Sequence, residues 1–229
     1  MLTAVIFDFD GVIVDTEPIH FRAFQEVLRP LGLGYSWEEY LERYIGFDDR
    51  DAFREVFKTA GRELDDRMLG DLINGKAEVF ERIVQIGVKP YPGVVELVTS
   101  LSGVIPLALC SGALARDIRP ILDQLAIREA FDVIVTADDV QASKPNPESY
   151  LLALERLSAA FPEKRLSPGH CLAIEDTPSG IVSAREAGLR VLAITNSYPA
   201  ESLTGAVSVI DSLELAGIAD LTRIVEKAD

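Results

Sequence analysis

Ala4-Val5-Ile6-Phe7-Asp8-Phe9-Asp10-Gly11-Val12-Ile13-Val14-Asp15 decides how the rest of the chain is read. Its apolar, β-branched opening lacks polar alternation, which predicts a strand buried on both faces, as in the middle of a parallel sheet. It ends in two carboxylates separated by one residue, then a glycine. Along a strand, residues i and i+2 share a side about 6–7 Å apart. Asp8 and Asp10 can therefore aim at one point beyond the strand's carboxyl end while Phe9 turns into the core. In open α/β sheets ligands bind at that edge. Two acids there suit a hard cation, with one of them able to attack or to move a proton. The competing expectation is that these aspartates only form a turn or cap a helix.

Working outward, the chain changes character after Asp15. From Pro18 to Ile86 the apolar spacing is helical: Phe21, Phe24, Val27 and Leu28 recur on one face, as do Leu69, Leu72, Ile73, Val79, Phe80 and Ile83. Gly32, Gly34, Gly46 and Gly61 divide this block into about four helices, and Ser36-Trp37-Glu38-Glu39 has the form of a capping box. Residues 16–89 are thus expected to form an all-helical domain inserted after the first strand. Residues 1–15 and 90–229 would form the other domain, with Lys89-Pro90-Tyr91-Pro92-Gly93 as the return linker. From Val94 onward strands and helices alternate. Strands are expected at Ile105–Cys110, Phe131–Val135, Cys171–Ile174, Arg190–Ile194 and Val207–Ile210. Helices are expected at Val94–Leu101, Ala115–Leu125, Glu148–Leu157, Ser179–Ala187 and Ala219–Lys227. That alternation predicts an α/β fold, a Rossmann-like parallel sheet with helices on both faces.

Composition bounds the function. The chain has 229 residues, 48% hydrophobic and 26% charged, enough to bury a sizeable core. With 22 basic against 37 acidic residues the net charge is −15, which repels phosphate backbones and anionic lipid. Nucleic acid and membranes are therefore not expected partners, and a phosphorylated ligand would need cations supplied locally. Cys110 and Cys171 sit in strand-like apolar runs and imply no disulfide. The N-terminus shows neither a basic segment nor a cleavable apolar stretch, so a cytoplasmic protein is expected, as a monomer.

The polar residues of interest fall just past expected strand ends: Ser111-Gly112, Lys144-Pro145 and Glu175-Asp176. In a parallel sheet those ends share one edge with Asp8 and Asp10. An acid pair, a hydroxyl beside a flexible backbone, a lysine and a second acid pair form a set suited to phosphoryl transfer through a metal. Mg²⁺ keeps several waters, so two or three carboxylates suffice to hold it. Ser111 can donate its hydroxyl, Gly112 allows close backbone approach, and Lys144 adds positive charge. Taken singly, each is an ordinary turn, loop or cap; their joint order is the signal.

That order resembles the haloacid dehalogenase-like superfamily from the first strand to about Asn196. The first motif stands as Asp8-Phe9-Asp10-Gly11, the second at Ser111, the third at Lys144 within Ser143-Lys144-Pro145-Asn146-Pro147, and the fourth at Glu175-Asp176. The run Val12-Ile13-Val14-Asp15-Thr16-Glu17-Pro18 resembles the branch holding β-phosphoglucomutase and many small-molecule phosphatases, whose α-helical cap residues 16–89 would match. The resemblance implies that Asp8 is the nucleophile, forming an aspartyl-phosphate, and that Asp10 is the general acid and base. It implies Mg²⁺ held by the carboxylates of Asp8 and Asp176 and the carbonyl of Asp10, with Glu175 a direct or water-mediated ligand. Ser111, Gly112 and Lys144 would bind the phosphoryl group. His20 matches a position often histidine in that branch, with a structural role as its alternative. Gly46-Phe47-Asp48-Asp49-Arg50 lies where relatives present a substrate-reading loop. Arg50 and Lys76 are candidate cap contacts, each with a solvated helix face as its alternative.

The leading expectation is a Mg²⁺-dependent phosphatase acting on a small phosphorylated metabolite. A sugar phosphomutase is the second, and a non-catalytic phospho-receiver domain the third. Against the mutase, Leu114 and Ala115 stand where the resemblance implies a lysine–asparagine pair for a second phosphate.

Overall fold

The computed structural model describes residues 1–44, 47 and 49–226. The chain divides into two compact units, Met1–Asp15 with Lys89–Asp229, and Thr16–Val88. Lys89, read above as the end of the helical block, goes with the sheet.

The sheet unit holds six parallel strands in the order β3-β2-β1-β4-β5-β6. These are β1 (Ala4–Phe7), β2 (Leu107–Cys110), β3 (Val133–Val135), β4 (Cys171–Glu175), β5 (Arg190–Ile194) and β6 (Ser208–Ile210). Every residue of β1, β2 and β4 is buried, as continuous apolar runs require when helices cover both faces. β2 begins at Leu107, not Ile105. Proline at 106 has no N–H for the ladder, and the Asp132 carboxylate accepts from the Leu107 N–H at 2.9 Å. β4 runs one residue further than expected and takes in Glu175. Helices α5 (Val94–Leu101), α6 (Ala115–Gln124), α7 (Glu148–Ala160), α8 (Pro178–Glu186) and α9 (Ile218–Glu226) complete this unit; numbered by position along the chain, they follow the four helices of the other unit. Lys227, the expected last residue of α9, lies outside the described residues.

The helical unit carries α1 (Glu17–Leu28), α2 (Trp37–Arg43), α3 (Asp49–Thr59) and α4 (Asp66–Ile86). The capping box forms as expected: Ser36 accepts from the Glu39 N–H, and Glu39 accepts from the Ser36 N–H. Its core gathers Phe24, Leu28, Tyr40, Phe53, Phe57 and Leu72, among others. No helix of the described residues is long and apolar enough to cross a membrane.

Candidate active site

The strand order places β1 at the centre, where the chain first winds toward β2 and later to β4 on the other side. A crevice forms at such a switch point, at the carboxyl ends of the strands. Asp8 is the first residue past β1, and its N–H donates to the Ile174 carbonyl at 3.0 Å, stitching it to β4. Phe9 is buried, as the alternation required. Gly11 follows with φ +78°, and a Cβ there would lie 1.8 Å from Asp176 Oδ2, so only glycine fits. The Asn196 side-chain amide donates to the Gly11 carbonyl at 2.7 Å and holds this loop in place.

Lys144 reaches this point from the segment after β3. Its Nζ donates to Asp8 Oδ1 at 2.7 Å, to Glu175 Oε1 at 2.6 Å and to the Cys110 carbonyl at 3.3 Å. Burial works against its charge, but Asp8 and Glu175 outweigh that and hold its pKa above the ordinary lysine value. Lys144 stays an ammonium.

Glu175 is completely buried and saturated with donors. Oε1 accepts from Lys144 and from the Tyr150 hydroxyl at 2.7 Å; Oε2 accepts from the Asp176 N–H and the Thr177 hydroxyl, both at 3.2 Å. A Cβ at Gly180 would lie 2.0 Å from this carboxylate, so α8 can approach only with glycine there. Burial first, then Glu175 and Asp8, pushes the Tyr150 hydroxyl well above its usual pKa, so it remains a donor.

Asp176 is the opposite case. Both of its carboxylate oxygens are buried without a hydrogen-bond partner among the described residues. Burial and then Glu175 push its pKa up to about 7, against weaker downward pulls from the nearby Ser197 hydroxyl and Lys144. Burial also raises Asp8 well above the usual carboxylate range; Lys144 pulls it down, while Glu175, Asp176 and Asp10 push it up. One ammonium thus faces several buried acids. Ligand atoms of Asp8, Glu175 and Asp176 lie within 4.8 Å of one another. An all-oxygen set, overcharged and with two orphaned oxygens, fits a hard divalent cation. Because Glu175 already has five donors, counting the Thr177 N–H at 3.5 Å, Asp8 and Asp176 are the side chains best placed to ligate.

The Ser111 hydroxyl donates to Asp10 Oδ2 at 3.4 Å and accepts from the Ala113 N–H at 2.9 Å. A Cβ at Gly112 would meet nothing within 4 Å, so open space flanks the backbone there. Asp8, Asp10, Ser111, Lys144, Glu175 and Asp176, scattered through the sequence, are thus brought to one edge.

Within the helical unit, His20 and Lys76 come together. Lys76 is buried, which overturns a solvated helix face for it. Its ammonium donates to Asp49 Oδ1 at 2.6 Å and to His20 Nδ1 at 2.8 Å, and lies 4.9 Å from the Phe24 ring centre. A lysine cannot accept, so His20 Nδ1 carries the lone pair and Nε2 the proton. The imidazole stacks on Phe80 at 4.6 Å, and burial holds its pKa well below the usual histidine value, with Lys76 adding to the shift. Arg50 is exposed on the first turn of α3. Gly46 and Asp48 of the expected reading loop lie outside the described residues.

Three structural partners escaped the sequence reading. Thr177 had a signal, since a threonine before Pro178 is an N-cap pattern, and its hydroxyl does accept from the Gly180 N–H. Tyr150 had only its place in an apolar helical face. Asn196 had none.

A parallel α/β sheet with an acid-and-lysine cluster at its carboxyl edge and a helical block inserted after the first strand defines a class. The chain belongs to that class, the haloacid dehalogenase-like hydrolases, whose family model matches residues 5–194. It is 34% identical over 225 residues to the phosphorylated carbohydrates phosphatase of Thermotoga maritima, covering 95% of this chain and 98% of that protein. It is 32% identical over 188 residues to the fructose-1-phosphate phosphatase YqaB of Escherichia coli, covering 81% and 92%. Among solved structures it is similar to CbbY from Rhodobacter sphaeroides in complex with phosphate, with TM-score 0.84, 29% identity, and 96% and 99% of the two chains covered.

Proposed function

We propose that the chain is a Mg²⁺-dependent phosphatase that hydrolyses a small phosphomonoester, a sugar phosphate or similar metabolite, through an aspartyl-phosphate. The observation that carries this reading is the Asp8 carboxylate held 2.7 Å from the Lys144 ammonium beside the orphaned oxygens of Asp176. Mg²⁺ would sit between Asp8, Asp176 and the Asp10 carbonyl, neutralising phosphoryl oxygens. Phosphatase relatives acting on phosphorylated carbohydrates support the substrate class.

An Asp8 oxygen forms a bond to phosphorus as the ester P–O bond breaks, and Asp10 gives its proton to the leaving alkoxide. The Asp10 carboxylate then takes a proton from water as that water attacks phosphorus, releasing inorganic phosphate and restoring Asp8. Lys144 follows the negative charge as it passes from Asp8 to the phosphoryl oxygens. Ser111 and the open backbone at Gly112 supply further donors.

The test is phosphate release from p-nitrophenyl phosphate and a panel of sugar phosphates, with Mg²⁺ or with a chelator. Turnover that survives the chelator would sink the metal-dependent reading.

The phosphomutase reading needs a second anion site just past Ser111. Leu114 and Ala115 offer no side-chain donor there, and the Ala115 N–H at the start of α6 is taken by the Asp138 carboxylate at 2.8 Å. That carboxylate opposes a second phosphate. With β-glucose 1-phosphate and catalytic bisphosphate, free phosphate should outpace glucose 6-phosphate; the reverse would favour the mutase.

A further inference from the structure

We propose that Tyr150 is a positioning residue for Lys144, its hydroxyl keeping the ammonium poised between Asp8 and Glu175 during phosphoryl transfer. The inference rests on the phosphatase reading and adds to it a residue with no place in the motifs.

Tyr150 comes from α7 and is fully buried. Its ring centre lies 5.0 Å from Lys144 Nζ, and its hydroxyl lies 2.7 Å from Glu175 Oε1 and 3.4 Å from Nζ. Proton counting fixes the direction of each contact. Glu175 as a carboxylate can only accept and Lys144 can only donate. The single hydroxyl proton of Tyr150 is therefore donated to Glu175 Oε1, and its oxygen lone pairs face the ammonium.

The consequence appears when charge moves. Before attack, Lys144 is shared between two carboxylates at nearly equal distance, 2.7 Å to Asp8 and 2.6 Å to Glu175. Once Asp8 is esterified by the phosphoryl group it is no longer a carboxylate, whereas Glu175 keeps its charge. The ammonium must then swing from the Asp8 oxygen toward the phosphoryl oxygens while still tethered to Glu175 Oε1. Tyr150 sets the limits of that swing by sharing Oε1 with the lysine and by offering it another acceptor.

Packing alone makes a different demand. Tyr150 also fills the core beside Ala153, Leu154 and Leu157, and phenylalanine would fill that space equally well. Tyr150→Phe in the full chain therefore isolates the hydroxyl. Removal of such an outer partner typically costs about 10–100-fold in activity, and we expect kcat to fall into that range with KM unchanged. Binding of beryllofluoride with Mg²⁺, which mimics the phosphorylated aspartate, should weaken in parallel, while affinity for inorganic phosphate and the thermal midpoint stay close to wild type.

A Tyr150→Phe enzyme with wild-type kcat and beryllofluoride affinity overturns the proposal. So does a loss of activity that merely tracks a loss of folded protein by circular dichroism. If the wild type itself releases no phosphate and binds no beryllofluoride, the phosphatase reading falls, and this inference with it.

Discussion

Lys144 is one cation among buried acids, and the residue scale turns on that imbalance. Removing one member of a buried charge pair typically costs about 3–5 kcal/mol, because the partner is left uncompensated. Lys144→Met should lose stability on that order in metal-free urea titrations, as well as activity. Adding Glu175→Gln should recover part of the stability and none of the activity, since the two side chains touch and their effects are not additive. A Lys144→Met protein as stable as wild type would show that charge pairing does not hold this edge together. Asp8→Asn has the opposite sign. It removes a carboxylate whose ionisation is resisted by burial and by three neighbouring acids. The metal-free variant should be folded, at least as stable as wild type, and inactive. Residual turnover above a few per cent would remove Asp8 from the nucleophile's role.

At the scale of elements, close approach and buried charge set the expectations. α8 meets β4 where a methyl group at position 180 would overlap the Glu175 carboxylate. Gly180→Ala should therefore cost about 1–3 kcal/mol, as overpacking does, and lower activity by displacing Glu175 from Lys144; a neutral substitution would contradict that packing. In the helical unit, His20 is held neutral by burial and by Lys76. Unfolded, it gains a proton below about pH 6.5. Its folded-state pKa is depressed, so the unfolded chain binds the extra proton, and its contribution to stability is lost as pH falls through 6.5 toward the folded value. His20→Phe should flatten the pH dependence of the urea midpoint across that window, while losing the Lys76 acceptor at any pH. An unchanged slope would discount the histidine.

The same elements show what a sequence discloses. Val94–Leu101 and Arg190–Ile194 form with the expected limits because glycine and β-branched runs mark them locally. The six residues gathered at the sheet's carboxyl edge were legible because each stands in a loop or at the end of an expected strand on that edge. Lys76 was a candidate whose burial was also readable, since it falls four residues after Leu72 and three before Val79, on the buried face of α4. Tyr150 was not readable as a site residue, because its partners Glu175 and Lys144 come from other segments and nothing local distinguishes it from core.

At the scale of the molecule, a cation binding the folded sheet but not the unfolded chain stabilises by mass action, about 2.7 kcal/mol at a hundred times its dissociation constant. Mg²⁺ should raise the unfolding midpoint in a concentration-dependent way. Asp176→Asn should abolish most of that rise, and an undiminished rise would place the ion elsewhere. The strand order also has a consequence for the time at which the site comes into being. β1 leaves the ribosome before the other strands of the sheet, yet its flanking strand β4 ends at Glu175. At roughly 5–20 residues per second of synthesis, Asp8 waits on the order of ten seconds for Glu175 and Asp176 to leave the tunnel. Throughout that interval the nascent chain would carry the proposed nucleophile without the two acids at the end of β4 in the finished edge. Catalysis should therefore require synthesis past β4: a polypeptide released before it should be inert, however well its helical insert and first strands have folded.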